Sequence, residues 1–125
     1  MAEDVKTDVR TYDGSCHCGA VRFRVRSPPI RTGIRCNCSI CIRRGAVMSS
    51  HYVLPEDFAW VSGREALRLY QFGDHMMNHW FCGTCGIHPF GEVVEHPGKC
   101  RVNLGCLDGV DPLALEVAVI DGRSF

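Results

Sequence analysis

Hydrophobic and polar residues alternate in one segment near the start of the chain. Val21, Phe23 and Val25 are separated by arginines, so that apolar side chains recur at every second position. A period of two places these side chains on one face of an extended segment and the arginines on the other. Ser27 and two prolines follow and end the pattern. The segment predicts a strand with one buried face.

Short apolar segments separated by Gly, Pro and Asp continue through the rest of the chain, and none shows a sustained helical period. Pro55–Phe58 is read as a turn or a single helical turn. Short strands with little helix between them predict a mainly β fold of antiparallel sheets rather than βαβ units. The other segments predicted to be extended or apolar are Ile30–Arg35, Ala46–Leu54, Phe58–Val61, Ala66–Phe72, Asn78–Cys82, Ile87–Val94, Cys100–Leu107 and Leu113–Ile120.

Composition and charge narrow the class of protein. A chain of 125 residues with 46% hydrophobic and 22% charged residues fits a single domain, which we place at residues 1–125. Fourteen Lys and Arg residues balance fourteen Asp and Glu residues, so the formal net charge is zero. Without a broad basic surface, nucleic acid and anionic membranes are not expected partners.

The cysteine content becomes informative once the cellular compartment is considered. Residues Met1–Lys6 lack the apolar region of a secretory signal, and no run of about 18 apolar residues occurs. We therefore predict a cytoplasmic protein, in which disulfides are rare. Nine reduced cysteines, most of them in short-spaced clusters, are typical of metal ligands or catalytic groups.

Seven of the nine cysteines fall in three clusters whose spacing suits chelation of a metal ion. In Cys16–Cys18 the two thiols of an extended segment point to the same side. In Cys82–Cys85 a tight turn brings two thiols together, with backbone N–H groups directed at the sulfurs. Gly19 and Gly86 follow these clusters and supply residues free to adopt positive φ. The third cluster, Cys36–Cys41, lacks such a glycine and is expected to be built differently.

Tetrahedral zinc coordination divides the seven thiols most simply into four and three. Four ligands close a structural site, and these are Cys16, Cys18, Cys82 and Cys85. Three ligands leave a position for water or substrate, and these are Cys36, Cys38 and Cys41. A zinc ion held by thiolates is a weak Lewis acid, which favours exchange with another thiolate over hydrolysis.

Two alternatives stay open on spacing alone. Cys100, Cys106 or His79 could supply a fourth ligand that closes the second site; otherwise the two isolated cysteines are read as small core residues. Iron in a sulfur site is the second choice of metal.

Three segments together resemble the glutathione-dependent formaldehyde-activating enzyme family, which also includes centromere protein V. They are Gly14–Phe23, Cys36–Cys41 and Phe81–Gly86, and the resemblance spans about residues 12–108. It implies an Mss4-like fold of antiparallel sheets with zinc-binding loops and two zinc ions per chain. It also implies that the outer two cysteine clusters bind the structural zinc and that the middle cluster binds the second zinc, near the active site.

The resemblance implies a carbon–sulfur lyase that acts on a thiol adduct. The activity expected is the joining of glutathione and formaldehyde to S-(hydroxymethyl)glutathione, or of a related thiol and carbonyl pair. An incoming thiol would take the open position at the middle cluster, lose its proton and attack a carbonyl carbon. The alternative is a non-enzymatic interaction module in which both zinc ions are structural.

Other polar and aromatic side chains are given structural roles. Arg43 or Arg44 could bind a carboxylate of the thiol, but the interpretation as surface arginines is favoured. His51 and His79 are read as strand residues with satisfied rings. Aromatic residues read as core are Trp60, Trp80, Phe81 and Phe90.

Overall fold

The structure, a computed structural model, describes residues 8–124. The prediction made for Met1–Lys6 and the two ends of the predicted domain at residues 1–125 lie outside these residues. Within residues 8–124 no helix is long and apolar enough to cross a bilayer.

The described residues form ten strands and one α-helix, so the prediction of a mainly β fold is confirmed. In chain order the elements are β1 (Arg10–Ser15), β2 (Arg22–Ser27), β3 (Thr32–Cys36), α1 (Ser39–Arg44), β4 (Met48–Ser49), β5 (Phe58–Ser62), β6 (Leu67–Tyr70), β7 (Met77–Cys82), β8 (Phe90–Val93), β9 (Cys100–Val102) and β10 (Glu116–Ile120). Short 3₁₀ turns occur at Pro55–Asp57, Arg64–Ala66, Leu104–Cys106 and Gly122–Ser124.

The strands form three sheets. Strands β1, β2 and β5 make one antiparallel sheet, and β6 to β9 make a second. In the third sheet β3 pairs antiparallel with β4 and parallel with β10, with Ile120 opposite Cys36. This parallel pair departs from the predicted antiparallel pairing. No tight turn joins β3 to β10, so hairpin geometry does not impose an antiparallel direction on the pair.

The predicted strand with one buried face is β2 together with the residue before it. Val21, Phe23 and Val25 are at most 1% exposed, and the arginines between them face solvent. Phe23 stacks on Phe58 with ring centroids 5.2 Å apart, and Phe90 lies 5.3 Å from Phe58. Because Phe90 belongs to β8, this aromatic cluster joins the first sheet to the second. Such ring pairs add about 0.5–1.5 kcal/mol beyond the area they bury.

Two elements have no counterpart in the sequence prediction. Strand β1 has mostly polar residues, and its pairing with β2 rather than an apolar pattern makes it a strand. Helix α1 has six residues, too few to show a helical period, and no buried residue. It begins directly after Cys38 and ends at Arg44, and Gly45 follows with a φ of +69°. The left-handed Gly45 ends the helix, and no apolar face defines it.

Several predicted apolar segments are only partly strand. Of Ala46–Leu54, only Met48–Ser49 belongs to a strand, and the Leu104–Cys106 turn follows β9 where Cys100–Leu107 was expected to stay extended. The Asn103 side chain accepts the N–H of Gly105 at 3.0 Å and so favours the turn. The helical turn expected at Pro55–Phe58 is confirmed as a 3₁₀ turn.

Gly63 allows the chain after β5 to pack against the first cysteine loop. Its φ is +81°, and a Cβ atom there would overlap the carbonyl group of Ala20. The Gly63 carbonyl accepts the N–H of Ala66, and the Ala66 carbonyl accepts the N–H of Gly83, at 2.9 and 2.8 Å. The turn at Gly63 thus lies between the loop that follows Cys16 and the loop that follows Cys82.

We expect Gly63→Ala to destabilise the protein more than Gly109→Ala. Both glycines have a φ of +81°, but no atom lies within 4 Å of the Cβ position at Gly109. The control should therefore lose only the cost of a left-handed alanine, about 1–2 kcal/mol. Gly63→Ala should lose a further 1–3 kcal/mol or so, because backbone must move to relieve the overlap. Urea denaturation of both variants measures the difference, and equal losses would contradict the close packing.

Candidate metal centres and the adjoining cavity

Four cysteine thiols from two sheets converge in what we call the outer cluster. Cys16 and Cys18 lie in the loop after β1, Cys82 ends β7, and Cys85 lies in the turn that follows. Their four Sγ atoms all lie within 4.8 Å of one another. The Cys18 Sγ is 3.6 Å from that of Cys16 and 3.7 Å from that of Cys82. Zinc with Zn–S bonds of about 2.3 Å has tetrahedral edges of roughly 3.8 Å, so the cluster could hold such an ion.

Both loops of the outer cluster close on a glycine with positive φ. The φ angles of Gly19 and Gly86 are +79° and +82°, as predicted from their positions after the cysteines. The Gly19 N–H donates to the carbonyl of Cys16, and the Gly86 N–H donates to the carbonyl of Cys82. Any other residue would be strained at these two φ values.

Backbone N–H groups stabilise negative charge on the sulfurs of the outer cluster. Those of Val21 and Thr84 donate to the Sγ atoms of Cys16 and Cys82, at 3.3 and 3.4 Å. Backbone hydrogen bonds, the strongest from Cys85, hold the pKa of the Cys82 thiol below its ordinary value. Desolvation acts to raise the pKa of Cys85, but backbone hydrogen bonds and neighbouring thiols outweigh it and lower that pKa to about 6. The cluster therefore favours the thiolate form, which is the metal ligand.

The fourth thiol shows that a cation is needed to ionise the whole outer cluster. The backbone of Ala20 acts to lower the pKa of Cys18, but desolvation and the hydrogen bonds with Cys16 and the other thiols raise it to about 11. Four negative sulfurs at these distances repel one another strongly. A divalent cation between them would offset that repulsion, so the donor set and its spacing both fit zinc.

Three further thiols form the middle cluster. Cys36 ends β3, Cys38 precedes α1 and Cys41 lies within α1. Their Sγ atoms also lie within 4.8 Å of one another. The N–H of Cys38 donates to the Cys36 Sγ at 3.4 Å, and the N–H of Ile42 donates to the Cys38 carbonyl at 2.9 Å. A helical turn thus brings in the third thiol, where the outer cluster uses a glycine-closed turn.

The pKa values of two thiols in the middle cluster are shifted in opposite directions. Desolvation and the neighbouring Cys38 raise the pKa of Cys41 to about 12. Desolvation opposes ionisation of Cys38, but hydrogen bonds led by the backbone of Cys41 lower its pKa. Three thiolates therefore need a cation here as well, and the three sulfurs offer soft ligands to it.

The end of the described chain packs against the middle cluster. A Cβ atom at Gly122 would collide with the Cys36 Sγ. The Asn37 amide donates to Asp121 Oδ1 at 3.0 Å and its Oδ1 accepts the N–H of Arg123 at 2.9 Å. Sequence reasoning missed Asp121 and Gly122, because Asp and Gly are typical of any turn and these two lie far along the chain from the middle cluster.

A cavity of about 170 Å³ opens beside the middle cluster. It is lined by residues of α1 and of two sheets, and its walls are mostly apolar. Cys36 and Cys41 are the two cluster cysteines that reach it. The other polar groups that line it are Arg44, Tyr52, His79, His88 and Arg101. Apolar pockets with a few polar groups are typical of small-molecule sites.

Two buried histidines line this cavity and both are held neutral. Desolvation and the charge of Arg44 lower the pKa of His79 to about 4 and that of His88 to about 3. Arg44 Nη2 donates to His79 Nδ1 at 3.4 Å, so the ring of His79 is satisfied there. His88 Nδ1 donates to the carbonyl of Trp80 at 2.6 Å, which leaves His88 Nε2 as a buried acceptor with no partner in the described residues.

The two isolated cysteines and three of the aromatic residues read as core belong to neither cluster. Cys100 and Cys106 are buried, desolvation raises the pKa of each to about 12, and neither joins a cluster. This fits their interpretation as core residues. Trp60, Trp80 and Phe90 line a second cavity, of about 350 Å³, that no residue of either cluster touches.

The middle cluster has three metal-binding side chains in the described part of the chain. Neither isolated cysteine nor any histidine, aspartate or glutamate of residues 8–124 joins the group. His79, considered as a fourth ligand, lines the same cavity but is not part of the cluster. Arg44 lines the cavity too, whereas Arg43 is exposed and donates to the carbonyl of Ser39. Arg101 had no signal in the sequence, because it is one strand arginine among many.

Comparison with known proteins agrees with this geometry. The family model described as glutathione-dependent formaldehyde-activating enzyme matches residues 11–120. A Halomonas elongata protein named as a putative glutathione-dependent formaldehyde-activating enzyme is 33% identical in an alignment of 102 residues, and the match covers 66% of this chain and 65% of the relative. The chain thus matches just under two thirds of that relative's length.

A solved structure is similar over most of the fold. It is the crystal structure of a Rhodobacter sphaeroides protein, with a TM-score of 0.73 and 38% sequence identity. The match covers 85% of this chain and 99% of that one. The family match over residues 11–120 means that the chain belongs to the glutathione-dependent formaldehyde-activating enzyme family.

Proposed function

We propose that the protein is a zinc-dependent enzyme that joins glutathione to formaldehyde, or a closely related thiol to a small aldehyde. The observation that carries the proposal is a cluster of three thiols, rather than four, at the wall of a cavity. Zinc at four thiolates has no position for a substrate, whereas zinc at three keeps one. Family membership supports glutathione and formaldehyde as the reactants.

The two clusters have separate roles in this proposal. The outer cluster holds a structural zinc through Cys16, Cys18, Cys82 and Cys85. The middle cluster holds the second zinc through Cys36, Cys38 and Cys41. When bound there, zinc supplies a position at which a thiol is held as its thiolate at neutral pH.

The chain's own residues shape the reaction around that position. The apolar walls formed by residues such as Ile34 and Met48 keep bulk water from the reactants. Neutral His88 lines the cavity without adding a charge to it. Arg44, half-buried beside the middle cluster, offsets part of the negative charge of Cys41 and Cys38. These groups bind and orient the reactants.

The proposed reaction is balanced without an oxidant or reductant. The sulfur of the thiol bonds to the carbonyl carbon of formaldehyde as the C=O π bond breaks. The proton lost by the thiol ends on the former carbonyl oxygen, which becomes the hydroxyl of S-(hydroxymethyl)glutathione. The reverse step breaks the C–S bond and makes the enzyme a carbon–sulfur lyase.

The cytoplasm is the compartment that we propose for this activity. All nine cysteines are free. Thiols at this density stay reduced in the cytosol, where glutathione is also abundant.

A non-enzymatic module with two structural zinc ions is the competing proposal. It requires a fourth protein ligand at the middle cluster, and none is present there among residues 8–124. The cavity beside the thiols also has no role in such a module. The geometry therefore favours the enzyme.

The metal content of a Cys36→Ser/Cys38→Ser variant tests the division into two sites. Protein purified without added zinc should carry two zinc ions per chain, and the double variant should carry one and stay folded. Cys100→Ser is the matched control, because it removes a buried thiol that belongs to neither cluster, and it should keep both ions. Elemental analysis and circular dichroism give the readouts. One zinc in the wild-type protein would contradict the second site.

The outer cluster should behave differently from the middle cluster. Cys82→Ser should unfold the protein, because a structural zinc contributes about 10–16 kcal/mol and whole domains are stable by only about 5–15 kcal/mol. Thermal denaturation of this variant beside the double variant measures the contrast. A folded Cys82→Ser protein with no zinc would show that the outer cluster is dispensable.

Acid should release zinc from the outer cluster. The Cys85 pKa of about 6 lies below its ordinary value of 9.0, so the folded protein binds fewer protons than the unfolded chain between these values. Stability from this thiolate is complete above about pH 9 and is lost as the pH falls through about 6. We expect zinc release, followed with a chromogenic chelator, to begin as the pH falls below about 6. Unchanged zinc content well below that pH would contradict the prediction.

Catalysis should depend on the middle cluster. Carbon-13 exchange NMR of formaldehyde with glutathione measures the rate of adduct formation and breakdown with and without enzyme. Wild-type protein and Cys100→Ser should both accelerate the exchange, and Cys38→Ser should lose the acceleration although it stays folded. An active Cys38→Ser protein would move the reaction away from this site.

A further inference from the structure

Two arginines from separate elements line the cavity beside the middle cluster, and no carboxylate of residues 8–124 lines it. Arg44 belongs to α1 and Arg101 to β9. The ion pairs within 4.0 Å among residues 8–124 are Arg10–Asp8 and Arg24–Asp13, and neither involves a cavity arginine. Neither cavity arginine therefore has a carboxylate partner in the described chain. A guanidinium that is taken partly out of water without a counterion is costly.

Arg101 is held in place but left with an unused donor. Its guanidinium lies over the ring of Tyr52, 4.6 Å from the ring centroid. This stacking fixes the plane of the guanidinium group. The Nε atom of Arg101 is buried and has no hydrogen-bond partner among residues 8–124. A buried donor without a partner is destabilising.

The other polar groups of the cavity do not neutralise Arg101. Burial keeps His79 and His88 uncharged, so they add neither a counterion nor a competing positive charge. The Cys41 and Cys38 thiols offset part of the charge of Arg44. Among residues 8–124, Arg101 has neither a carboxylate partner nor a hydrogen bond at Nε.

We propose that Arg101, assisted by Arg44, binds a carboxylate of the thiol substrate and so selects thiols that carry one. The inference rests on the proposed function, because it assumes that a thiol enters the cavity beside the middle cluster. A carboxylate in the cavity would accept N–H groups from the planar guanidinium of Arg101. It would supply the counterion that the cavity arginines lack. Arg101 is a specificity-determining residue in this scheme, with the Tyr52 ring as its support.

Two thiols that differ only at the carboxyl group test the proposal. N-acetylcysteine carries a carboxylate, and N-acetylcysteine amide carries a neutral amide of nearly the same size. Calorimetric titration of zinc-loaded wild-type protein should show at least about tenfold tighter binding of the acid, which corresponds to about 1.4 kcal/mol. Arg101→Gln should reduce this preference to near unity by weakening the acid alone. Arg101→Lys, which keeps the charge but not the planar group, should retain part of the preference.

Arg43→Gln is the matched control. It removes a neighbouring positive charge that is exposed and does not line the cavity, so the tenfold preference should persist. Zinc content and thermal unfolding establish that each variant is folded. The wild-type comparison needs no variant and keeps the proposal testable if Arg101→Gln fails to fold.

The outcomes separate this proposal from the proposed function. Equal binding of the two thiols by wild-type protein would overturn the carboxylate site and leave the thiol site intact. A preference that survives in Arg101→Gln would overturn the assignment to Arg101. Binding of neither thiol would overturn both the carboxylate site and the proposed function.

Discussion

The close approach of cysteine sulfurs is the constraint on which the rest of the structure depends. In the outer cluster, Sγ atoms 3.6 and 3.7 Å apart come from a loop of the first sheet and from a strand end of the second. Sulfurs at this distance cannot all be negative without a cation, and backbone N–H groups already bias Cys82 and Cys85 toward the thiolate. The first and second sheets therefore meet at two places, at a cysteine cluster that could hold a metal ion and at the aromatic cluster around Phe23.

Both clusters consist of cysteine thiols, but the backbone that surrounds them differs. Glycines with positive φ close both loops of the outer cluster, and its sulfurs complete a set of four. The middle cluster combines a strand end with a six-residue helix and stops at three. Cys36 and Cys41 border a cavity between two sheets. In the proposed function, the closed set of four would hold a structural zinc and the set of three would leave access for a substrate.

The cavity contains arginine side chains that have no carboxylate partner among residues 8–124. This feature connects the fold to its proposed chemistry. The histidines of the cavity are neutral. The proposed ligand, a thiol that carries a carboxylate, would supply that carboxylate partner. Such a ligand would gain affinity from groups that are already positioned.

The sequence by itself determined the elements that depend on local chemistry. The alternation at Val21–Val25 predicted β2, and the cysteine spacing predicted three short clusters of metal-binding thiols. The glycines after Cys18 and Cys85 predicted two left-handed turns. Each of these follows from residues within a few positions of one another, where side-chain period and backbone preference decide the outcome. The resemblance to a known family over the same cysteine segments indicated the fold.

Only the tertiary structure decided what surrounds the thiols. Helix α1 is too short to leave a period in the sequence, and β10 lies beside β3 through long-range pairing that no local pattern encodes. Gly122 contacts Cys36 although 86 positions separate them, and Arg101 lines the same cavity as Cys41 although 60 positions separate them. Contacts at such separation depend on how three sheets pack, and packing is a property of the whole chain.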